Sequence, residues 1–112
     1  MMLDGIDRKR FQRSASEAAA LLKGLANHRR LMILCTLADG QRSVGDLADT
    51  LRLGQSALSQ HLARLRGLAI VAARRDGQTI YYRLADPAAA RVIETLAAIF
   101  CPPPAKPARV RK

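Results

Sequence analysis

Leucines 58, 62 and 65 fall on one narrow stripe of a helical wheel, so the stretch "GQSALSQHLARLRG" (54–67) reads as a helix with one core-facing side. Its far side carries Ser56, Gln60 and Ala63, flanked by Ser59 and Arg64. Exposed helix faces usually mix Glu with Lys, yet this one has short hydrogen-bonding groups and no acid. Upstream, Ser14 and Glu17 have capping-box spacing before "AAALLKGLA", which predicts a first helix near 15–25. Asn27 caps a second helix, "HRRLMILCTLADG", closed by Gly40, and Ser43 caps a third, "VGDLADTL", with Asp46 placed to suit the helix dipole. A short turn through Leu53 and Gly54 then leads into the fourth helix, which is helix-turn-helix spacing.

The period changes from helical to alternating after this pair. "IVAARRDGQTIYYRL" holds two runs rich in Val, Ile, Thr and Tyr around Asp76-Gly77, a hairpin signal. With those two residues as the turn, Arg75 stands opposite Gln78 and Arg74 opposite Thr79. Ala73, Ile80, Val71 and Tyr82 lie further down the ribbon. Asp86 and Pro87 start a last helix, "AAARVIETLAAIFC", which Pro102-Pro103-Pro104 stops. The pattern predicts a mainly α winged helix-turn-helix in the order α-α-α-α-β-β-α, over residues 14–101, with a basic N-terminal tail (1–13) and a Pro-rich basic C-terminal tail (102–112). Val92, Leu96, Ile99 and Phe100 on the last helix, with Leu21, Leu22 and Leu25 on the first, make more apolar face than one small domain covers. A homodimer through Leu22, Val92, Leu96 and Ile99 is the natural expectation.

Composition adds two constraints. The 112 residues are 49% apolar but only 4% aromatic, so one small domain with an aliphatic core is expected. The N-terminus is charged throughout and no apolar run reaches the roughly eighteen residues of a membrane span, so a cytoplasmic protein without membrane association is expected. Charge changes the picture more. The net value is +10, and the 26 residues between Asp49 and Asp76 hold Arg52, Arg64, Arg66, Arg74 and Arg75 without a carboxylate. Such a surface favours a polyanion, and nucleic acid is the commonest.

Candidate chemistry is sparse. His61 sits beside the leucine stripe with no spaced ligands around it, which suits a structural histidine. No nucleophile, base and oxyanion arrangement is visible, so no enzyme and no cofactor is expected. Cys35 and Cys101 are far apart in sequence. They are either small apolar fillers or, in a reducing compartment, a reversible pair.

The order "LANHRRLMILCTL", "SVGDLADTLRLGQSALSQHLARLRGLAIV", "RRDGQTIYYRL" resembles the ArsR/SmtB family of dimeric bacterial winged-helix repressors, over roughly residues 16–101. The pattern Ser56, Ser59, His61, Leu62, Leu65 carries much of the likeness. The resemblance implies that the fourth helix enters the major groove of double-stranded operator DNA. Gln55, Ser56, Ser59, Gln60 and Arg64 would then face the groove while Arg74, Arg75, Gln78 and Thr79 act from the wing. The ligand sets of the family's metal sensors are missing: Cys35 lacks a C-x-C partner, and the last helix offers only Glu94 and Cys101, so no metal site is expected. Cys35 and Cys101 instead resemble the thiol pair of the BigR/SqrR-type branch. That likeness implies an intrachain disulfide or polysulfide, formed with reactive sulfur species such as persulfides, that releases the operator. A metal(loid)-responsive repressor and a constitutive architectural DNA-binding protein are the alternatives.

Overall fold

The computed structural model describes Gly5 and residues 7–101. The C-terminal tail expected from Pro102, and the first residues of the N-terminal one, lie outside the described residues. The elements run α1 (Arg8–Leu25), α2 (His28–Leu37), β1 (Arg42–Ser43), α3 (Val44–Leu51), α4 (Gln55–Gly67), β2 (Val71–Asp76), β3 (Thr79–Leu84) and α5 (Pro87–Phe100). The winged helix-turn-helix order is as the sequence pattern predicts, with one short strand added.

Helix starts follow their caps. The Asn27 side chain accepts from the N–H groups of Arg29 and Arg30 at 2.9 and 3.1 Å, Ser43 from that of Asp46 at 3.0 Å, and Asp86 from that of Ala88 at 2.9 Å. Each contact satisfies a backbone donor that has no partner within the helix. The first helix corrects the expectation of a start near residue 15. It begins at Arg8, where the Asp7 carboxylate accepts from the Arg10 N–H at 3.2 Å. The Ser14–Glu17 spacing lies inside α1 because no Gly or Pro between Arg8 and Lys23 breaks the helix. Residues 8–13, expected as a tail, are therefore helical, and all are exposed.

The hairpin also differs from expectation, by one residue. Asp76 pairs with Thr79, Arg75 with Ile80 and Arg74 with Tyr81, so the turn is Gly77-Gln78 and not Asp76-Gly77. Gly77 has φ +64° and no positive φ occurs at Gln78, which suits a turn with glycine first. On the other edge of β3, Arg42 pairs with Tyr82 and Ser43 with Tyr81, which gives a three-stranded sheet in the order β1-β3-β2.

The core is aliphatic. Leu58, Leu62 and Leu65 of α4 are at most 1% exposed, in one cluster with Ile33 and Leu34 of α2, Leu47 of α3, Ile70 and Val71 at the start of the wing, and Ala89 and Ile93 of α5. Burial of each leucine side chain is worth about 1.5–3 kcal/mol. No polar or charged residue is buried among the described residues. The terminal helices leave apolar groups uncovered: Phe11 and Leu22 on α1 and Ile99 and Phe100 on α5 are 55–79% exposed, while Val92 and Leu96 are half-buried.

Two non-glycine residues among those described have left-handed backbone, Arg52 (φ 55°) ending α3 and Ala69 (φ 60°) ending α4. The turn at Ala69 is closed by the Ile70 N–H donating to the Leu65 carbonyl at 3.0 Å, a helix-ending arrangement that favours glycine. A Cβ in this region costs about 1–2 kcal/mol, of which the added chain entropy of glycine offsets part. Ala69→Gly should therefore raise the free energy of unfolding by up to about 1 kcal/mol, read as a higher urea midpoint with unchanged slope.

Candidate nucleic-acid interface and the thiol pair

The leucine stripe decides which side of α4 is free. With Leu58, Leu62 and Leu65 buried, Gln55, Ser56, Ser59, Gln60, Ala63 and Arg64 are all exposed. Gly54 precedes the helix and offers no side-chain acceptor to its first N–H groups, and the first turn contains no acid. The positive end of the helix dipole is thus uncompensated on the same element that presents the polar face.

One flank of α4 meets the wing. A groove there is lined by Gln55, Ser59 and Leu62 of α4, by Ser43, Val44 and Gly45 at the start of α3, and by Gln78, Thr79, Ile80 and Tyr82 of the hairpin. Four residues singled out from the sequence, Gln55, Ser59, Gln78 and Thr79, are thereby brought together. Ser43 to Gly45 went unforeseen, because a two-residue strand leaves no periodic signal; only the Ser43 cap marks the place. The observed register separates the two wing arginines. Arg75 shares the face of Ile80 and Tyr82, toward the groove. Arg74 lies on the opposite face, 3.8 Å from the Asp76 carboxylate and 4.8 Å from the centroid of the Tyr81 ring. Its charge is partly engaged within the wing, while Arg75 makes no ion pair among the described residues.

The other flank of α4 meets α2. His61 is half-buried there, and its pKa is lowered from the ordinary value by burial first, then by the charges of Arg30 and Arg29. Arg30 donates from Nε to the Gly24 carbonyl at 2.6 Å and from a terminal nitrogen to the Lys23 carbonyl at 3.3 Å. It thus satisfies carbonyls at the end of α1. Its own pKa is lowered by burial and by Arg64.

Cys35 is on the exposed side of α2 and Cys101 caps the end of α5, its N–H donating to the Ala97 carbonyl at 2.8 Å. Both thiols are free and exposed. The helices that carry them pack together, and α2 also packs on α3 and α4. Among the described residues no three His, Cys, Asp or Glu side chains converge as a metal site would require, and no helix is long and apolar enough to cross a membrane.

A helix-turn-helix with a basic wing and an acid-free recognition face defines a DNA-binding protein of the winged-helix class. Residues 27–73 match the family described as bacterial regulatory protein, arsR family. The chain is 52% identical to the biofilm growth-associated repressor of Agrobacterium fabrum over 93 residues, 83% of this chain and 80% of that protein. It is 45% identical to the transcriptional activator HlyU of Vibrio cholerae, over 81% and 84% of the two chains. In structure it matches the transcriptional repressor BigR of Xylella fastidiosa with a TM-score of 0.81 at 43% identity, over 86% of this chain and 98% of that one. Reduced HlyU from Vibrio cholerae matches with a TM-score of 0.79 at 44% identity, over 83% and 98%. The chain belongs to the arsR family: it is a DNA-binding transcriptional regulator, not an enzyme.

The environment of His61 fixes the sign of one pH effect. An unfolded chain holds histidine near its ordinary pKa of about 6.5, whereas the folded state resists protonation, so below that pH the unfolded state binds the extra proton. The contribution is fully present above pH 6.5 and is lost as pH falls through the lowered folded value. Between pH 7.5 and 5.5 the urea midpoint of the wild type should fall further than that of His61→Gln.

Proposed function

We propose that the chain is a homodimeric cytoplasmic repressor that holds its operator while Cys35 and Cys101 are reduced and releases it when they are bridged. The observation that carries this reading is the placement of two free, exposed thiols on helices that pack together, one of which supports the recognition helix. The repressors among its relatives, and a solved relative described as reduced, favour the same reading. A thiol of the pair attacks the sulfane sulfur of a persulfide RSSH, releases RSH and becomes a protein persulfide. The second thiol then displaces hydrogen sulfide to close a disulfide, and further sulfane sulfur lengthens the bridge to a polysulfide. The effector is the oxidant, and no metal or cofactor takes part.

The exposed Leu22 and Ile99, with Val92 and Leu96, supply the two-fold interface. It sets the recognition helices about 34–36 Å apart, one turn of DNA, on a roughly palindromic site. Gln55, Ser56, Ser59, Gln60 and Arg64 read the groove, Gln78 and Thr79 support them from the wing, and Arg75 holds phosphate. Arg74 contributes less than Arg75 because Asp76 and Tyr81 hold it. A bridge between α2 and α5 strains the DNA-bound arrangement, and a bias of about 2.7 kcal/mol lowers affinity roughly a hundredfold.

Two sets of measurements test this. On duplexes selected from a random pool by the reduced protein, Gln60→Ala should relax discrimination at particular base pairs. Arg75→Ala should weaken all sequences alike and reduce the salt slope by about one per lost phosphate contact. Equal loss of specificity from both would count against the groove assignment. Persulfide treatment should link Cys35 to Cys101 within one chain and release DNA, with dithiothreitol reversing both. Cys35→Ser and Cys101→Ser should bind normally and ignore the treatment. Normal release by either serine variant rejects the two-thiol mechanism, release of the wild type by zinc or arsenite replaces it with metal sensing, and indifference to all three leaves a constitutive DNA-binding protein.

A further inference from the structure

The recognition helix has a second charged flank, of which the assignment above uses only Arg64. Gln55 and Ser59 line the groove shared with the wing, whereas Arg64 and His61 lie around the opposite side of α4, next to the first turn of α2. That turn carries His28, Arg29 and Arg30 and no acid. The surface beside it, from Arg29 to the turn between α3 and α4, is lined by His28, Met32, Thr50, Leu51 and Leu53, again without a carboxylate. Arg30 is committed to the carbonyls of α1. Arg29 and Arg64 are exposed, and among the described residues the guanidinium of neither makes an ion pair or a hydrogen bond.

This clustering costs the isolated fold something. Cations stand at the positive end of α2, where the helix dipole disfavours them, and their charges reach across to α4, where they add to burial in lowering the His61 pKa. Folding alone is better served by an acid at position 29. A polyanion bound along this flank offsets these repulsions with attraction to the same cations.

We infer that Arg29, beside the groove-facing Arg64, grips the DNA sugar-phosphate backbone on the side of the recognition helix opposite the wing, so that each subunit clamps both walls of the major groove. The partner is DNA and not an acidic protein surface because Arg64 is continuous with the exposed face of α4: Gln60 and Arg64 are one helical turn apart. A helix inserted in the groove meets a phosphate strand on each flank, and Arg75 accounts for only one of them. This inference rests on the DNA-binding reading of α4 and adds a contact to it.

The test uses the full-length reduced protein with two labelled 30-base-pair duplexes, one selected from a random pool by the wild type and one of random sequence, titrated across about 50–250 mM KCl. Arg29→Gln should weaken both duplexes by a similar factor, on the order of tenfold, and lower the slope of log affinity against log salt by about one for each subunit bound. Arg29→Lys should restore most of the loss, since a phosphate accepts a point charge. An unchanged slope, or a loss confined to the selected duplex, overturns the backbone contact even if Arg75→Ala behaves as expected. Failure of the wild type to bind either duplex overturns instead the DNA-binding reading on which it stands. A urea midpoint of Arg29→Gln at or above that of the wild type is expected from relief of the repulsion, and a large fall would overturn the assignment by making Arg29 a structural residue.

Discussion

Burial of one side of α4 is the constraint from which the other features follow. Leu58, Leu62 and Leu65 pack into a cluster drawn from α2, α3, the wing and α5, so the rotation of α4 about its own axis is set by every other part of the domain. A helix so pinned has no freedom to choose which residues it presents. Ser56, Gln60 and Ala63 are outward because the leucines are inward, and the chemistry of the free face is a by-product of aliphatic packing. With no polar residue buried among the described residues, no hydrogen-bond network competes with this arrangement.

Much of this was legible in the sequence because it depends on short-range rules. The leucine spacing, the caps at Asn27, Ser43 and Asp86, and the proline opening α5 are each local and each found as expected. What escaped was decided elsewhere. The Ser14–Glu17 spacing is a sound cap signal, but Asp7 offers the same service earlier and nothing between them interrupts the helix. The hairpin was recognised by its glycine, yet whether glycine comes first or second in the turn depends on how β3 pairs along its whole length. That one-residue difference put Arg74 and Arg75 on opposite faces. The contact of α3 with the wing was illegible, because β1 is two residues long and exists only where β3 passes it.

Part of the charge on this protein is arranged against the preferences of its own helices. The first turns of α1, α2 and α4 contain no acid, and α1 and α2 carry cations there. Arg30 shows the ordinary use, serving the carbonyls at the end of a neighbouring helix, and Lys23, Arg64 and Arg66 stand in the last turns of α1 and α4, where the dipole favours cations. Arg29, near Arg30 and Arg64, belongs to a surface whose internal repulsion a bound anion relieves. An anionic partner is thus implied by electrostatics as well as by helix geometry.

The central position of β3 separates two kinds of change that the wing can absorb. Its lower part is paired on both edges, to β2 and to the strand leading into α3, so an insertion near Tyr81 or Tyr82 shifts the entry to the helix-turn-helix as well as the hairpin. Its upper part is paired on one edge only and ends in a turn where a side chain at Gly77 would meet nothing within 4 Å. The tip can therefore lengthen, shorten or change charge without disturbing how α4 sits, while the base is fixed in length. Variation in what the wing contacts belongs at residues 76–79.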